Sequence, residues 1–168
     1  MRTLLLFRHA KADKDPSHAT DHERPLTGKG RDAAALMGRY LSSLGQVPDL
    51  VVSSSAVRAR DTAQRAAKAG EWKCPIILED ALYATSPREV LSFIKDLEDE
   101  ARSVMLVGHE PTWSELAGRL IGSAALGFPT AALARIDLDI DAWRRADFGH
   151  GTLVWLVTPR SIEPLAER

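Results

Sequence analysis

Residues 4–12 read LLLFRHAKA. The apolar run over residues 3–7 shows no alternation between a wet and a dry face. A strand of that kind is covered on both sides, as in a parallel sheet with helices above and below it. The run stops abruptly at Arg8 and His9, which places a guanidinium and an imidazole at the carboxyl end of a buried strand. In an open α/β sheet, ligands bind beyond those strand ends.

The rest of the chain supplies the partners such a strand needs. Residues 10–26, AKADKDPSHATDHERPL, are polar and contain proline, and read as a loop that is long for a strand-to-helix connection. Thr27 caps a helix whose apolar face is Ala33, Leu36, Met37, Tyr40, Leu41 and Leu44, stopped by Gly45. Residues 49–53 (DLVVS) form a second buried strand, and Ser54 or Ser55 is expected to cap the Ala-rich helix over 56–69 that ends at Gly70. Residues 75–78 (PIIL) give a short third strand. Ser86-Pro87-Arg88-Glu89 is a capping box with proline at the first helical position. Residues 103–107 (SVMLV) are a fourth strand, ended by Gly108-His109, and a helix opens at Pro111-Thr112 and runs to about Ile121. Two further strands, near 131–138 and 152–157, have no helix between them and are expected to pair antiparallel, at or near an edge. The alternation predicts a three-layer α/β/α sandwich around a mostly parallel six-stranded sheet, in one domain spanning residues 1–168.

Composition bounds the function. The 168 residues carry a formal net charge of -1, which suggests neither a nucleic-acid surface nor a membrane surface. The single cysteine, Cys74, allows no internal disulfide and no thiolate metal cluster. The apolar run at the start is too short for a membrane span or a signal-peptide core, so a cytoplasmic protein is expected.

Three strands end in polar groups that the topology brings to one side of the sheet. The first ends in Arg8-His9, the second leads into SSSAVRAR with Arg58 in the first turn of a helix, and the fourth ends in His109. Two arginines, two histidines and a helix start suit a phosphoryl group. Guanidinium forks match phosphate oxygens, and a helix start adds N–H donors. A histidine there, with an ordinary pKa of about 6.5, is kept neutral by neighbouring guanidinium groups and becomes a nucleophile toward phosphorus. The phosphoryl would pass to His9 and then to water, with the arginines stabilising the redistributing charge. Protein cations do the neutralising, so no metal and no cofactor are expected.

In this order, FRHAKA, RPLTGKG, SSSAVRARDTA and LVGHEP resemble the motifs of the histidine phosphatase (phosphoglycerate mutase-like) superfamily, over roughly residues 1–120. The short chain and the Arg-His-Ala-Lys-Ala variant resemble its SixA-like branch, the phosphohistidine phosphatases. The resemblance implies His9 as nucleophile, and Arg8, Arg58 and His109 as phosphate-pocket residues. It also implies a helix-flanked, mostly parallel sheet. One departure stands out. Relatives with mutase or broad phosphatase activity carry a proton-donating glutamate after the third strand, whereas here the region reads LEDALYATSP, with Glu79 and Asp80 but no acid directly after Leu82. Glu110, directly after His109, is the candidate donor, with Asp21 and Glu23 as alternatives.

Plainer readings hold elsewhere. Gly28-Lys29-Gly30 lacks the spacing of a nucleotide-binding loop and reads as a helix start. Serines 53–55 lack the flanking glycines of a nucleophile elbow. His18 and His22 stand four apart, but on a loop-like segment where metal binding is not expected. Arg60 and Arg65 read as solvated helix arginines, and His150 as a solvated turn residue. Trp113, Trp143 and Trp155 read as packing. Arg24 either reaches the pocket edge to help hold substrate, the favoured reading, or anchors the loop. The expected activity is a phosphatase acting on a phosphorylated protein, such as a histidine-phosphotransfer domain. The alternatives are a phosphatase for small phosphate esters and a phosphoprotein-binding module without turnover.

Overall fold

A computed structural model of the chain describes residues 1–15, 17, 18 and 20–166. Strands β1 (Arg2–Arg8), β2 (Leu50–Ser54), β3 (Ile76–Glu79), β4 (Ser103–Gly108), β5 (Leu133–Leu138) and β6 (Gly151–Val157) form one sheet in the order β3-β2-β4-β1-β5-β6. The first four of that order run parallel. β5 is antiparallel to both β1 and β6. The antiparallel strand therefore lies one place in from the edge, as expected of two strands joined without a helix. The helices are α1 (Gly28–Ser43), α2 (Val57–Ala69), α3 (Pro87–Lys95), α4 (Thr112–Leu120) and α5 (Pro159–Ala166). The sequence reading had no counterpart for α5.

The continuous apolar run in β1 is divided between two cores. Leu4 and Leu6 join Val52, Val104 and Leu106 against Val90 and Ile94 of α3 and Leu116 of α4. Leu5 and Phe7 join Val51, Met105 and Val107 against Met37 and Leu41 of α1 and Ala63 and Ala66 of α2. All four β1 side chains are fully buried. Each such burial contributes about 1.5–3 kcal/mol. Trp113 and Trp143 are buried packing residues, as expected. No helix of the structure is long and apolar enough to cross a membrane.

Local signals act mostly where the sequence puts them. The Thr27 hydroxyl accepts the Gly30 N–H at 3.0 Å and caps α1. Ser86 and Glu89 complete a reciprocal capping box on α3. The expected serine cap on α2 is not formed. Its N-cap is Ala56, whose methyl offers no acceptor; the Ser54 hydroxyl accepts the Ala56 N–H at 3.2 Å and meets His109, and Ser55 meets His22.

Register positions the functional end of the sheet. Arg8 pairs with Gly108 and Ser53 with Val107. Ser54, the last residue of β2, therefore stands level with Arg8 and Gly108, and His9 and His109 follow one residue further on from the two adjacent strands β1 and β4. Gly108 is required there, because a Cβ on it would lie 2.3 Å from the Trp113 ring. Gly30 plays a similar part at the start of α1, where a Cβ would lie 2.2 Å from the Lys11 carbonyl oxygen. Helix α1 thus packs directly on the segment that follows His9.

Candidate active site

His9 follows the last residue of β1. Its backbone N–H donates to Gly108 and its carbonyl accepts from Ala131, each a backbone bond to a flanking segment. Its ring is almost wholly buried, and Nδ1 lies 2.7 Å from the Ala10 carbonyl oxygen. A carbonyl only accepts, so Nδ1 carries the proton and Nε2 keeps its lone pair in the neutral ring. Burial lowers the pKa of His9 to about 4, with Arg58, Arg8 and Arg24 pushing in the same direction and the Ala10 carbonyl opposing them.

His109 stands beside it, with ring centroids 5.1 Å apart and planes inclined by 52°. Its Nε2 is 2.8 Å from the Ser54 hydroxyl, and its Nδ1 has no protein partner. Burial lowers its pKa to about 3, helped by His9 and Arg58. Both imidazoles are therefore neutral at physiological pH.

The arginines surround this pair. Arg8 donates through Nη1 to the Phe128 carbonyl at 2.7 Å. Burial lowers its pKa, against the raising effect of Glu110. Arg58, in the first turn of α2, is 6% exposed and grips Asp21 twice: Nη1 donates to its carbonyl at 2.8 Å and Nη2 to Oδ2 at 3.0 Å. Arg24 Nε lies 3.2 Å from Asp21 Oδ1. The Nε groups of Arg8, Arg24 and Arg58 are buried without a hydrogen-bond partner among the described residues. Buried donors of that kind are uncommon, and the charges of all three arginines act on His9. The electrostatic character is that of an anion site.

Arg8, His9, Arg58 and His109 are thus brought together from three separated segments. Arg24 pairs with Asp21 within the loop, and its charge acts on His9. Glu110, the candidate proton donor, turns its carboxylate onto the start of α4. There Oε1 accepts the Ser114 N–H at 2.8 Å and Oε2 accepts the Ser114 hydroxyl. His18 faces Asp13 and His22 faces Ser55. Among the described residues, no group of three His, Cys, Asp or Glu side chains is arranged to hold a metal ion.

Three contributors were not singled out from the sequence. Ser54 holds His109. Thr62, fully buried, accepts the Ala10 N–H at 2.9 Å and donates to the Arg58 carbonyl at 2.7 Å, joining the two arginine motifs. Tyr83 occupies the position directly after Leu82, where an acid was sought. Its ring meets His22 and His109 edge-on at 4.9 and 5.5 Å, and its hydroxyl donates to Asp21 Oδ2 at 2.8 Å.

Comparison with known proteins bears on the family and the fold. The model of the histidine phosphatase superfamily (branch 1) matches residues 4–86. Uncharacterized protein ML1117 of Mycobacterium leprae is 30% identical over 92% of this chain and 100% of its own length. The phosphohistidine phosphatase SixA of Escherichia coli is 26% identical over 95% of this chain and 96% of its own. A solved protein histidine phosphatase SixA, complexed with tungstate, superposes with a TM-score of 0.83 at 26% identity, covering 96% of this chain and 99% of that one.

Proposed function

The chain belongs to the histidine phosphatase superfamily and is a phosphatase, and on that premise we propose that it removes a phosphoryl group from protein phosphohistidine by way of a phosphohistidine intermediate on His9. The observation that carries the reading is the fixed protonation of His9: Nδ1–H is tied to the Ala10 carbonyl, so Nε2 is an unprotonated nucleophile among arginines. In the first step Nε2 bonds to phosphorus as the bond from phosphorus to the substrate nitrogen breaks, and the bonding pair stays with the substrate imidazole, which leaves neutral when its other ring nitrogen carries a proton. Arg8 and Arg58 hold the phosphoryl oxygens, and His109 lies alongside as a further pocket group. Water then bonds to phosphorus, the bond from phosphorus to Nε2 breaks with its pair returning to His9, and phosphate is released.

The choice of substrate rests on two supports. SixA relatives that align over nearly the whole chain are named for phosphohistidine. The candidate donor Glu110 must also break two bonds to Ser114 before it can protonate a leaving group. That requirement favours a leaving imidazole, which departs without a strong acid, over a sugar alkoxide. A cytoplasmic setting belongs to the same proposal.

The test is a rapid quench with a labelled phosphohistidine protein and, separately, a labelled sugar phosphate. Label that is acid-labile and alkali-stable on wild type, and absent from His9→Ala, is the expected result. Turnover of the sugar phosphate alone would select the small-ester reading. Binding of the phosphohistidine protein without phosphate release would select a binding module.

A further inference from the structure

Asp21 lies in a single 3-10 turn, Asp21–Glu23, inside the long loop after β1. It is tied down more firmly than a surface aspartate needs to be. Arg58 binds both its carbonyl and Oδ2, and Tyr83 binds Oδ2 as well. Oδ2 is thus filled by two donors. Oδ1 accepts no hydrogen bond; Arg24 Nε is 3.2 Å away but off line. The side chain is nevertheless 56% exposed, so water reaches the anchored carboxylate. Its charge reaches His109, and Tyr83, which holds it, stands edge-on to the same ring.

We propose that Asp21 is a catalytic residue of the second half-reaction, its carboxylate taking the proton from the water that attacks the phosphoryl group carried by His9. The proposal rests on the reading of His9 as that carrier. The water oxygen bonds to phosphorus and the bond from phosphorus to His9 Nε2 breaks. The bonding pair returns to Nε2, and the proton passes to Asp21 and then to solvent as phosphate departs. The hydrogen bond from Tyr83, with the charge of Arg58, holds the Asp21 carboxyl below the usual carboxylate range. It is therefore ionised at neutral pH, ready as a base and carrying no proton for a leaving group in the first step. A base held low is a weak one, but phosphoryl transfer through a loose transition state asks mainly for a positioned water whose proton leaves late. Arg58 bridges the two functions: it acts on His9 and binds Asp21, offsetting repulsion between carboxylate and phosphoryl.

The experiment separates the two half-reactions by rapid quench, with labelled phosphoramidate as the phosphoryl donor. In Asp21→Asn, label should enter His9 within about tenfold of the wild-type rate and leave it roughly 100-fold more slowly, the order of a lost general base. Phosphoenzyme then accumulates toward one label per chain. Tyr83→Phe keeps the ring, removes the donor that fixes the carboxylate in place, and should slow label loss a few-fold more than label entry, which keeps the test open if Asp21→Asn folds poorly. Equal slowing of entry and loss in both variants, with no accumulation, would show that Asp21 merely props up Arg58 and would overturn the proposal. Wild type that never carries label on His9 is a different result: it removes the reading of His9, and this proposal with it.

Discussion

The rings of His9 and His109 stand 5.1 Å apart, and each is held at one nitrogen by a neutral oxygen, the Ala10 carbonyl for one and the Ser54 hydroxyl for the other. No carboxylate hydrogen-bonds to either ring among the described residues, and burial outweighs the support that the Ala10 carbonyl gives to a charge on His9 and Asp21 to one on His109. With pKa values lowered to about 4 and about 3, they differ from ordinary histidines in a measurable way.

The first consequence is a pH profile. Protonation of Nε2 removes the nucleophile, so kcat/KM falls as pH drops through the folded-state pKa of His9. For an aryl phosphate, after correction for substrate ionisation, the plateau should extend below pH 5, with the acid limb near 4. A limb near 6.5 would mean that the ring titrates as it does in water.

The same shifts predict acid lability. Unfolded histidines bind protons below about 6.5, whereas these do so only near 4 and 3 when folded. The stability they contribute is complete above 6.5 and is lost as pH falls toward those folded values. Urea midpoints should therefore drop between pH 7 and pH 4.5, and drop less in a variant lacking both imidazoles.

Arg58→Lys tests the fork. Arg58 uses two nitrogens on Asp21 while its charge acts on His9, and an ammonium cannot reproduce that geometry. A loss of about 10²-fold in kcat/KM is expected, with Tm little changed. Activity within threefold of wild type would make charge alone sufficient.

Thr62→Val keeps the shape and removes the hydroxyl that joins Ala10 to Arg58. The Ala10 N–H is left buried without an acceptor, at a cost of about 1–3 kcal/mol. Denaturant unfolding should show that loss, and kcat should fall as the two motifs come out of alignment.

Gly108→Ala places a Cβ 2.3 Å from the Trp113 ring, which is fully buried. Overpacking of this kind costs about 1–3 kcal/mol. His109 is the next residue, so activity should suffer beyond what the change in Tm explains. The near-ultraviolet tryptophan spectrum would report the displaced ring.

Much of the fold was legible because burial on both faces of β1 leaves an unbroken apolar run, and because Thr27, Pro87 and Gly108 mark element ends with local chemistry. Helix α5 was not: it is short, contains Pro164, and has Ile162 as its fully packed side chain. The residues at the strand ends were legible by the same logic that located the strands. Ser54 was read as a cap because a serine before a helix ordinarily is one, and here a neighbouring strand offers it a histidine. The meeting of Tyr83 with Asp21 spans 62 positions. No local pattern encodes it, since a tyrosine after a leucine in a turn reads simply as packing.

The loop after β1 is pinched at its base. Ala12 bridges Leu26, Asp13 donates to Pro25, and Thr27 donates to Lys11. The loop between those closures is fastened to the body of the protein through Asp21 on Arg58 and Tyr83 and through His22 on Ser55. Asp21 and Arg24 travel inside that loop, so a transplanted loop would import its own proton chemistry along with its contours, and a chimera made to alter fit would alter turnover in the same stroke.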